Sequence, residues 1–465
     1  MKLRSLIGSK AFYRMVLAIA VPVMIQNGIT QFVGVLDNLM VGRLGTEQMS
    51  GVAIANQLIF IFNLCIFGGL GGAGIFGAQF AGKRDIEGIR NVFRFKLIVC
   101  IIVCTIGITV FGVWNEPLIS LFLHEGSAEG DLALTLSYGQ EYIRIMLLGL
   151  IPYALSQAYA STLRETGETV RPMIASIMAV VTNLIFNYLL IFGKLGFPAL
   201  GPAGAAIATV ISRFVELGII LYWSHVHPER TPFFLGAYRT LRIPRELAMH
   251  IVQKGMPLLL NEAFWSTGMS MLNQCYSTRG LAVIAAVNIS STVSNLFNIS
   301  FQALGSSIGI VVGNLLGAGK ADEARDTDRK MIAFSVATCF LLGSLLAAVS
   351  GVIPNLYNTT AEVKSLAAAF LLITAGSMPF HAFSHACYFT LRSGGQTKIT
   401  TLFDSGYVWL VCIPTAFVLS RFTSMPIVPM YFICTALEII KCIAGYLFVK
   451  SGKWVRTIVP SGENI

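Results

Sequence analysis

Charged residues are scarce in this sequence. Lys, Arg, Asp and Glu make up 12% of the 465 residues, whereas ordinary soluble domains contain about 25% charged residues with a similar apolar share. So few charges cannot cover the surface of a soluble globule of this length. The charges that do occur lie in short segments between apolar stretches of about 20 residues, the length that spans the hydrocarbon core of a bilayer as a helix. The sequence therefore indicates an all-α, multi-pass membrane protein.

Other missing features exclude further classes of protein. The nine cysteines form no CxxC pair and all lie in predicted helices, so neither a metal site nor a disulfide framework is expected. The Gly-rich stretch from Gly68 follows no strand and precedes no suitably placed Lys, which excludes a phosphate-binding loop. The net charge of +10 is spread over many short loops, so the expected partner is the lipid bilayer and not a nucleic acid. No cofactor is predicted.

Twelve apolar runs predict twelve transmembrane helices. They are centred near Val23, Phe62, Ile102, Leu150, Leu184, Ile211, Leu260, Leu296, Phe340, Leu372, Leu410 and Thr435. The N-terminus and every second loop, among them residues 83–96 with Lys96, contain 25 of the 33 Lys and Arg residues, and the opposite loops contain five. Because basic residues are retained in the cytoplasm during insertion, both termini should be cytoplasmic, with the protein in the cell membrane.

The second half of the sequence repeats the first. The stretch TLRETGET from Thr162 and the stretch TLRSGGQT from Thr390 agree at five of eight positions, and both follow the fourth predicted helix of their half. An even number of helices per repeat gives both halves one orientation, a layout typical of transporters with a binding site near the membrane midplane. We predict two homologous six-helix lobes around a central cavity: an N-lobe of residues 1–230, a cytoplasmic connector of residues 231–247 and a C-lobe of residues 248–465.

Polar side chains inside the N-lobe helices suggest an ion site. Asp37 lies late in the first predicted helix with apolar turns on both sides, and an ionisable group within a span is costly unless it has a function. Asn183 and Asn187 lie four residues apart, hence on one face of the fifth helix, where their amide oxygens can coordinate a cation beside a carboxylate, or alternatively hydrogen-bond a neighbouring helix. Thr209 in the sixth helix is a weaker candidate for the same cluster.

The C-lobe offers a different set of candidates. Glu262 lies one turn before Trp265, and an acid beside an aromatic ring suits a cationic organic ligand or a proton. His381 and His385 share one helix face, and histidine is a side chain that can exchange a proton or bind a metal, but no third metal ligand is evident, so no metal is predicted. Asp404 is either a structural acid on the cytoplasmic side or part of a proton site.

Two pairs of opposite charges lie three residues apart on the last predicted helix of each half. They are Arg213 with Glu216, and Glu438 with Lys441. Spacing of this kind places both members on one helix face, so we predict a local ion pair in each case.

Several stretches together resemble the multidrug and toxic compound extrusion (MATE) family over the whole chain. They are LDNLMVGRLG from Leu36, GAQFAGKRD from Gly77, NLIFNYLLIFG from Asn183, GPAGAAIATVIS from Gly201 and LRSGG from Leu391. The resemblance implies twelve helices in two V-shaped lobes. It also implies an antiporter that exports small amphipathic, often cationic, organic compounds in exchange for Na+ or H+.

The resemblance implies a cation-binding role for Asp37 with Asn183 and Asn187. The C-lobe departs from the family pattern, because Trp265 stands where a seventh-helix Glu is expected and His381 stands where a tenth-helix Asp is expected. We therefore assign ion coupling to the N-lobe and a substrate or proton role to Glu262.

Two other functions are compatible with parts of the sequence. A lipid-linked oligosaccharide flippase would share the fold and the repeat, but such proteins have a strongly basic cavity, and only Arg144 and Arg213 are basic within the first ten predicted helices. An intramembrane enzyme would need a clustered catalytic set, for which His381 and His385 are the only hint, and it would not explain the repeat. The interpretation that we carry forward is a monomeric ion-coupled exporter without catalytic residues.

Overall fold

The computed structural model describes residues 6–123 and 131–460, and within these ranges the chain forms helices, turns and no strand. The helices of the first half are α1 (Lys10–Gly42), α2 (Thr46–Lys83), α3 (Ile86–Val113), the short α4 (Asn115–Ser120), α5 (Leu132–Glu165), α6 (Val170–Phe192) and α7 (Gly201–Val226). Those of the second half are α8 (Arg245–Ser277), α9 (Leu281–Gly317), α10 (Ala321–Val349), α11 (Ala361–Ser393), α12 (Thr397–Thr401), α13 (Ile413–Phe422), α14 (Ile427–Ala436) and α15 (Glu438–Lys450). Two π-helical stretches, Leu402–Gly406 and Val408–Cys412, join α12 to α13.

Most of these helices are suited to a bilayer. Among the described residues, eleven helical stretches are long and apolar enough to cross a membrane, and two of them, residues 397–422 and 427–450, combine consecutive helices. The remaining long helix is α8, whose 33 residues reach the length of a membrane span but include a more polar N-terminal part. Apolar side chains such as Phe340, Leu341 and Leu410 are 63%, 69% and 70% exposed, as lipid contact requires. The predicted all-α membrane fold with twelve transmembrane helices in two six-helix halves is confirmed.

The two halves repeat the same helix interruptions. Gly45 separates α1 from α2 with φ of +152°, and Gly280 separates α8 from α9 with φ of +120°. Such a backbone conformation strongly favours glycine, because a Cβ atom would clash with the backbone. Pro22 in α1 and Pro257 in α8 also occupy equivalent positions within their helices. A proline inside a helix removes one hydrogen bond and bends it, so equivalent helices bend at equivalent positions.

The described residues form two compact units. The N unit comprises residues 25–77 and 85–252, and the C unit comprises residues 1–24, 78–84 and 253–465. In the N unit, α7 packs against α5 and α6, and α5 packs against α3. In the C unit, α11 packs against α9, α10, α14 and α15. The lobe boundaries expected from the sequence remain a prediction.

The segment predicted to connect the lobes is folded onto the N unit. The guanidinium of Arg94 on α3 donates hydrogen bonds to the carbonyl oxygens of Gly236, at 3.2 Å, and Ala237, at 3.1 Å. The rings of Phe93 and Phe234 pack edge to face with their centroids 4.7 Å apart. This part of the connector is therefore an ordered cover over α3 and not a loose link.

Candidate functional site

The structure brings the four polar candidates of the first half together in one cluster within the N unit. The Nδ2 group of Asn187 donates hydrogen bonds to Asp37 Oδ1, at 2.5 Å, and to Asn183 Oδ1, at 3.1 Å. The Nδ2 group of Asn183 donates to Thr209 Oγ1 at 3.3 Å. The four-residue spacing places both asparagines on one face of α6, between Asp37 on α1 and Thr209 on α7. We call these four residues the Asp37 cluster.

The Asp37 cluster is acidic and oxygen-rich. Among the described residues, no Lys, Arg or His nitrogen lies within 4 Å of the Asp37 carboxylate. Asn183 and Asn187 are buried, with 4% and 1% of their surface exposed. The Oδ1 atom of Asn187 has no hydrogen-bond donor within the described part of the chain. A buried acceptor without a donor is costly, and a proton or a cation at this position would remove that cost.

Tyr142 on α5 is a nearby residue that the sequence analysis missed. Its buried hydroxyl group donates to Asn56 Oδ1 on α2 at 3.4 Å. Tyr142 also interacts electrostatically with Asp37. A tyrosine within an apolar helix gives no sequence signal that separates it from a packing residue.

In the C unit, Asp404 lies in the first π-helical stretch and both of its carboxylate oxygens are engaged. Lys441 Nζ donates to Oδ1 at 2.8 Å, and Asn261 Nδ2 donates to Oδ2 at 3.0 Å. Ser405 fixes Asn261 in turn, because its hydroxyl group donates to Asn261 Oδ1 at 2.7 Å. The predicted local ion pair between Glu438 and Lys441 is wrong, since Lys441 reaches across to Asp404 on another helix.

Glu438 forms a second polar group in the C unit. Its Oε1 atom accepts a hydrogen bond from the hydroxyl group of Ser384 and lies 3.5 Å from His381 Nδ1. The neighbouring His385 packs against the ring of Phe301, with centroids 5.3 Å apart. In the described part of the chain, no group of three His, Cys, Asp or Glu residues is arranged to hold a metal ion. His381 therefore meets a carboxylate, and the two histidines share no metal site there.

Glu262 lies apart from these two groups. Within residues 6–123 and 131–460, the carboxylate of Glu262 forms no hydrogen bond or ion pair, and the charged side chains that interact with it electrostatically are Arg392 and Asp404. Phe264 and Trp265 follow it on α8, with 50% and 43% of their surface exposed. Among the described residues, Glu262 takes no part in the hydrogen bonds of Asp404 or of His381.

The local ion pair predicted for Arg213 and Glu216 is also wrong. The guanidinium of Arg213 lies over the ring of Tyr153, 4.3 Å from its centroid, which is a cation–π geometry. Glu216 instead accepts a hydrogen bond of 2.6 Å from Ser176 Oγ, and Ser176 accepts one of 2.8 Å from Gln26. In both halves of the chain, these charged side chains therefore contact side chains on other helices and not the oppositely charged residue three positions away.

The N unit also contains a buried ion pair that was not predicted. Lys96 on α3 donates to both carboxylate oxygens of Glu165 on α5 at 2.7 Å, and to the hydroxyl groups of Ser161 and Thr162 at 3.0 Å. Lys96 is fully buried, so its assignment to a cytoplasmic loop was wrong. On α2, Gly77 lies so close to the Glu165 carboxylate that a Cβ atom there would collide with it. The closely spaced glycines of α2 are the sequence feature that could have indicated this close approach of Glu165 to the α2 backbone.

The corresponding place in the second half contains a buried acid. Thr390, which matches Thr162 in the repeated TLR motif, donates to Asp328 Oδ1 at 2.5 Å. Asp328 is fully buried, and its Oδ2 atom has no hydrogen-bond partner among the described residues. The two halves therefore share a fold but differ in the charges at equivalent depths.

Comparisons with known proteins agree with this architecture. The family model described as MatE matches residues 22–189 and 257–419, once in each half. The probable multidrug resistance protein NorM of Thermotoga maritima is 24% identical over 449 residues, which cover 96% of this chain and 94% of that protein. The probable multidrug resistance protein YoeA of Bacillus subtilis is 24% identical and covers 94% of each chain.

Solved structures show the same fold. An outward-facing multidrug resistance MATE family transporter of the MOP superfamily superposes with a TM-score of 0.83 at 19% identity, over 97% of this chain and 98% of that one. A mutant of the Vibrio cholerae MATE transporter VcmN gives a TM-score of 0.83 at 17% identity, over 96% and 98% of the two chains. At these identities the likeness shows the fold alone.

Proposed function

Since this chain belongs to the MatE family, we propose that it is a secondary antiporter that exports amphipathic, cationic organic compounds in exchange for Na+ or H+. It is a multi-pass membrane transporter and not an enzyme. The relatives that are similar over almost the whole chain are named as probable multidrug resistance proteins. The proposal extends that general role to a coupling ion, a coupling residue and a substrate class.

The observation that carries the proposal is the Asp37 cluster. An ionised carboxylate within a membrane span is expensive when no basic group faces it. Asp37 therefore requires a proton, or a cation held with help from amide oxygens, whenever water is excluded from its surroundings. Oxygen ligands are the ones that hard cations prefer, and Asn187 Oδ1 is a buried oxygen that lacks a donor within the described residues.

Binding at Asp37 would drive export by changing the relative stability of two conformations. A ligand shifts a conformational equilibrium only through different affinities for the two states. In our proposal, the ion binds Asp37 more tightly in one of the alternating-access states, and its release allows the return. Glu262, beside the exposed ring of Trp265, would contribute a carboxylate and a π face for the organic cation.

The proposal includes a location and an orientation. We place the transporter in the cell membrane as a monomer, with both termini in the cytoplasm. The basis is the excess of basic residues at the N-terminus and in every second loop.

The test is the Asp37→Asn variant in everted membrane vesicles. Transport of a fluorescent cation by the protein is measured under an imposed Na+ gradient and then under an imposed H+ gradient. The gradient that drives transport by the unmodified protein identifies the coupling ion. Asparagine preserves the shape of aspartate but cannot change charge, so we expect dye binding to persist and gradient-driven export to be abolished. The control is Glu141→Gln, which removes an exposed carboxylate from α5 and should leave export unchanged. Near-normal pumping by Asp37→Asn under the driving gradient would refute the proposal.

A further inference from the structure

Two clusters in this chain are built from the same kinds of polar group and differ in two features, the number of amides and the presence of a basic group. The N unit combines the carboxylate of Asp37 with the amides of Asn183 and Asn187 and the hydroxyl group of Thr209. The C unit combines a carboxylate, an amide and a hydroxyl group from Asp404, Asn261 and Ser405. The C unit alone adds a basic group in contact with the acid, the ammonium of Lys441.

We propose that the Lys441 ammonium is a built-in counter-cation that permanently occupies the Asp404 site. The C unit then takes up no cation from solution at this carboxylate, and the transporter exchanges a single cation per cycle, at Asp37. The second statement rests on the proposed function, whereas the occupation of the Asp404 site by Lys441 does not.

Both carboxylate oxygens of Asp404 already accept a hydrogen bond from a fixed side chain of the protein. Lys441 Nζ contacts one carboxylate oxygen at 2.8 Å, and Asn261 Nδ2 contacts the other at 3.0 Å. Asn261 cannot turn its oxygen towards a cation without breaking its hydrogen bonds, because Asn261 Oδ1 already accepts from the hydroxyl group of Ser405 at 2.7 Å and from its backbone N–H at 3.2 Å. The amide is thus locked with its donor facing the acid.

The surroundings of the ammonium suit an alkylammonium better than an inorganic ion. Lys441 Nζ lies 5.4 Å from the ring centroid of Phe403 and 5.7 Å from that of Tyr407. Aromatic faces attract ammonium groups, whereas a hard metal cation requires a shell of several oxygen ligands. One carboxylate oxygen and two ring faces therefore form a site for the head group of a lysine.

The Asp404 and Asp37 sites differ in whether the protein itself supplies the cation that neutralises the carboxylate. The side chains of Lys441 and Asp404 are only 12% and 19% exposed, so the two opposite charges neutralise each other where water is scarce. Tethering also removes the entropic cost of capturing a counter-ion from solution. Asp37 has no such internal cation among the described residues, and Asn187 Oδ1 remains available beside it.

The experiment measures whether a dissolved cation stabilises the purified protein. It uses the Asp37→Asn background, so that the N unit binds no coupling ion. The unfolding midpoint is recorded in sodium chloride, ethylammonium chloride and N-methylglucamine chloride at equal ionic strength, the last cation being too large for the space of a lysine side chain. Three variants are compared: Asp37→Asn, Asp37→Asn with Lys441→Ala, and both of these with Asp404→Asn.

We expect the Asp37→Asn variant to unfold at one temperature in all three salts. Adding Lys441→Ala should lower the midpoint in N-methylglucamine, and ethylammonium should raise it again in a saturable manner, with sodium less effective. Adding Asp404→Asn should abolish that recovery. The proposal would be overturned if the unfolding midpoint depended on the salt while Lys441 is present. It would also be overturned if a folded Lys441→Ala variant had the same unfolding midpoint with and without ethylammonium.

A second measurement does not depend on the folding of any variant. The unmodified protein in lipid vesicles is given opposing gradients of dye and coupling cation, and the dye gradient that just stops net flux gives the exchange ratio. One cation per transport event is expected, and a ratio of two would contradict the single-cation cycle. Failure of the proposed coupling role appears separately, as continued pumping by Asp37→Asn.

Discussion

Replacing Lys96 by methionine should destabilise the protein far more than replacing Lys96 and Glu165 together. Methionine fills a similar volume, so the packing of α3 against α5 is largely kept. The loss is the ammonium group that lies 2.7 Å from both carboxylate oxygens of Glu165. Glu165 is only 7% exposed, and removing one member of a buried ion pair costs about 3–5 kcal/mol. That loss corresponds to about 150-fold to about 5,000-fold in the unfolding equilibrium constant.

The double variant Lys96→Met with Glu165→Gln has a different expected outcome. Replacing both members of a buried pair by neutral groups is often nearly neutral, because no uncompensated charge is then left in the protein interior. We therefore expect the double variant to recover most of the lost stability. A matched control is Lys320→Met, because the ion pair of Lys320 with Glu323 has side chains 58% and 56% exposed. Exposed pairs contribute about 0–1 kcal/mol.

The chain contains its own probe for this measurement. Of its nine free cysteines, seven are buried in helices, so a thiol-reactive fluorogenic dye reports unfolding in detergent as temperature or denaturant rises. We expect a large coupling free energy between the Lys96 and Glu165 substitutions, and this expectation can fail in two ways. Equal destabilisation in the single and the double variant, or a Lys96→Met variant as stable as the Lys320→Met control, would refute it.

Two further substitutions test acids of the second half. Glu262→Gln should reduce export of a cationic dye more than export of a neutral compound of similar size, because only the cation uses the carboxylate beside Trp265; equal losses in paired efflux assays would indicate a packing role instead. Asp328→Asn should leave thermal stability unchanged or raised, because asparagine keeps an oxygen for the hydroxyl group of Thr390 and removes a fully buried acid. A clear fall in the unfolding midpoint would mean that the carboxylate has a partner that only an acid satisfies.

The Asp37 cluster was predictable because local rules place most of it. A four-residue spacing puts Asn183 and Asn187 on one helix face whatever the surroundings. An acid flanked by apolar turns is unusual enough within a span to mark Asp37 by itself. The contact between α1 and α6 is not encoded in any local pattern. It was suggested by the chemistry of a cation site and supported by the family resemblance.

The partners of Asp404 could not be predicted for a geometric reason. Asp404 lies in a π-helical stretch, where each turn contains one residue more than an α-helical turn. Side chains beyond such a turn point in directions that the usual helical period does not give. The three-residue spacing of Glu438 and Lys441 suggested a pair on one helix. In the structure, the side chain of Lys441 instead contacts Asp404, which lies on a different helix.

Lys96 was misplaced because charge was used as a marker of the membrane surface. That rule holds for single basic residues, which are costly inside a bilayer. It fails when an acid from another helix neutralises the charge, as Glu165 does here. Lys96 and Glu165 are 69 positions apart in the sequence, so no local sequence pattern predicts their contact.

The folded connector affects how this protein can be cut into separate halves. Phe93 and Tyr159 are fully buried, and Phe234 from the connector packs against both rings. If the chain is divided into two fragments and the N-terminal fragment lacks residues 231–240, these aromatic side chains become exposed and promote aggregation. Residues 241–244 lie beyond this contact and three of the four are exposed. A protease site, or the break between two co-expressed fragments, therefore belongs there.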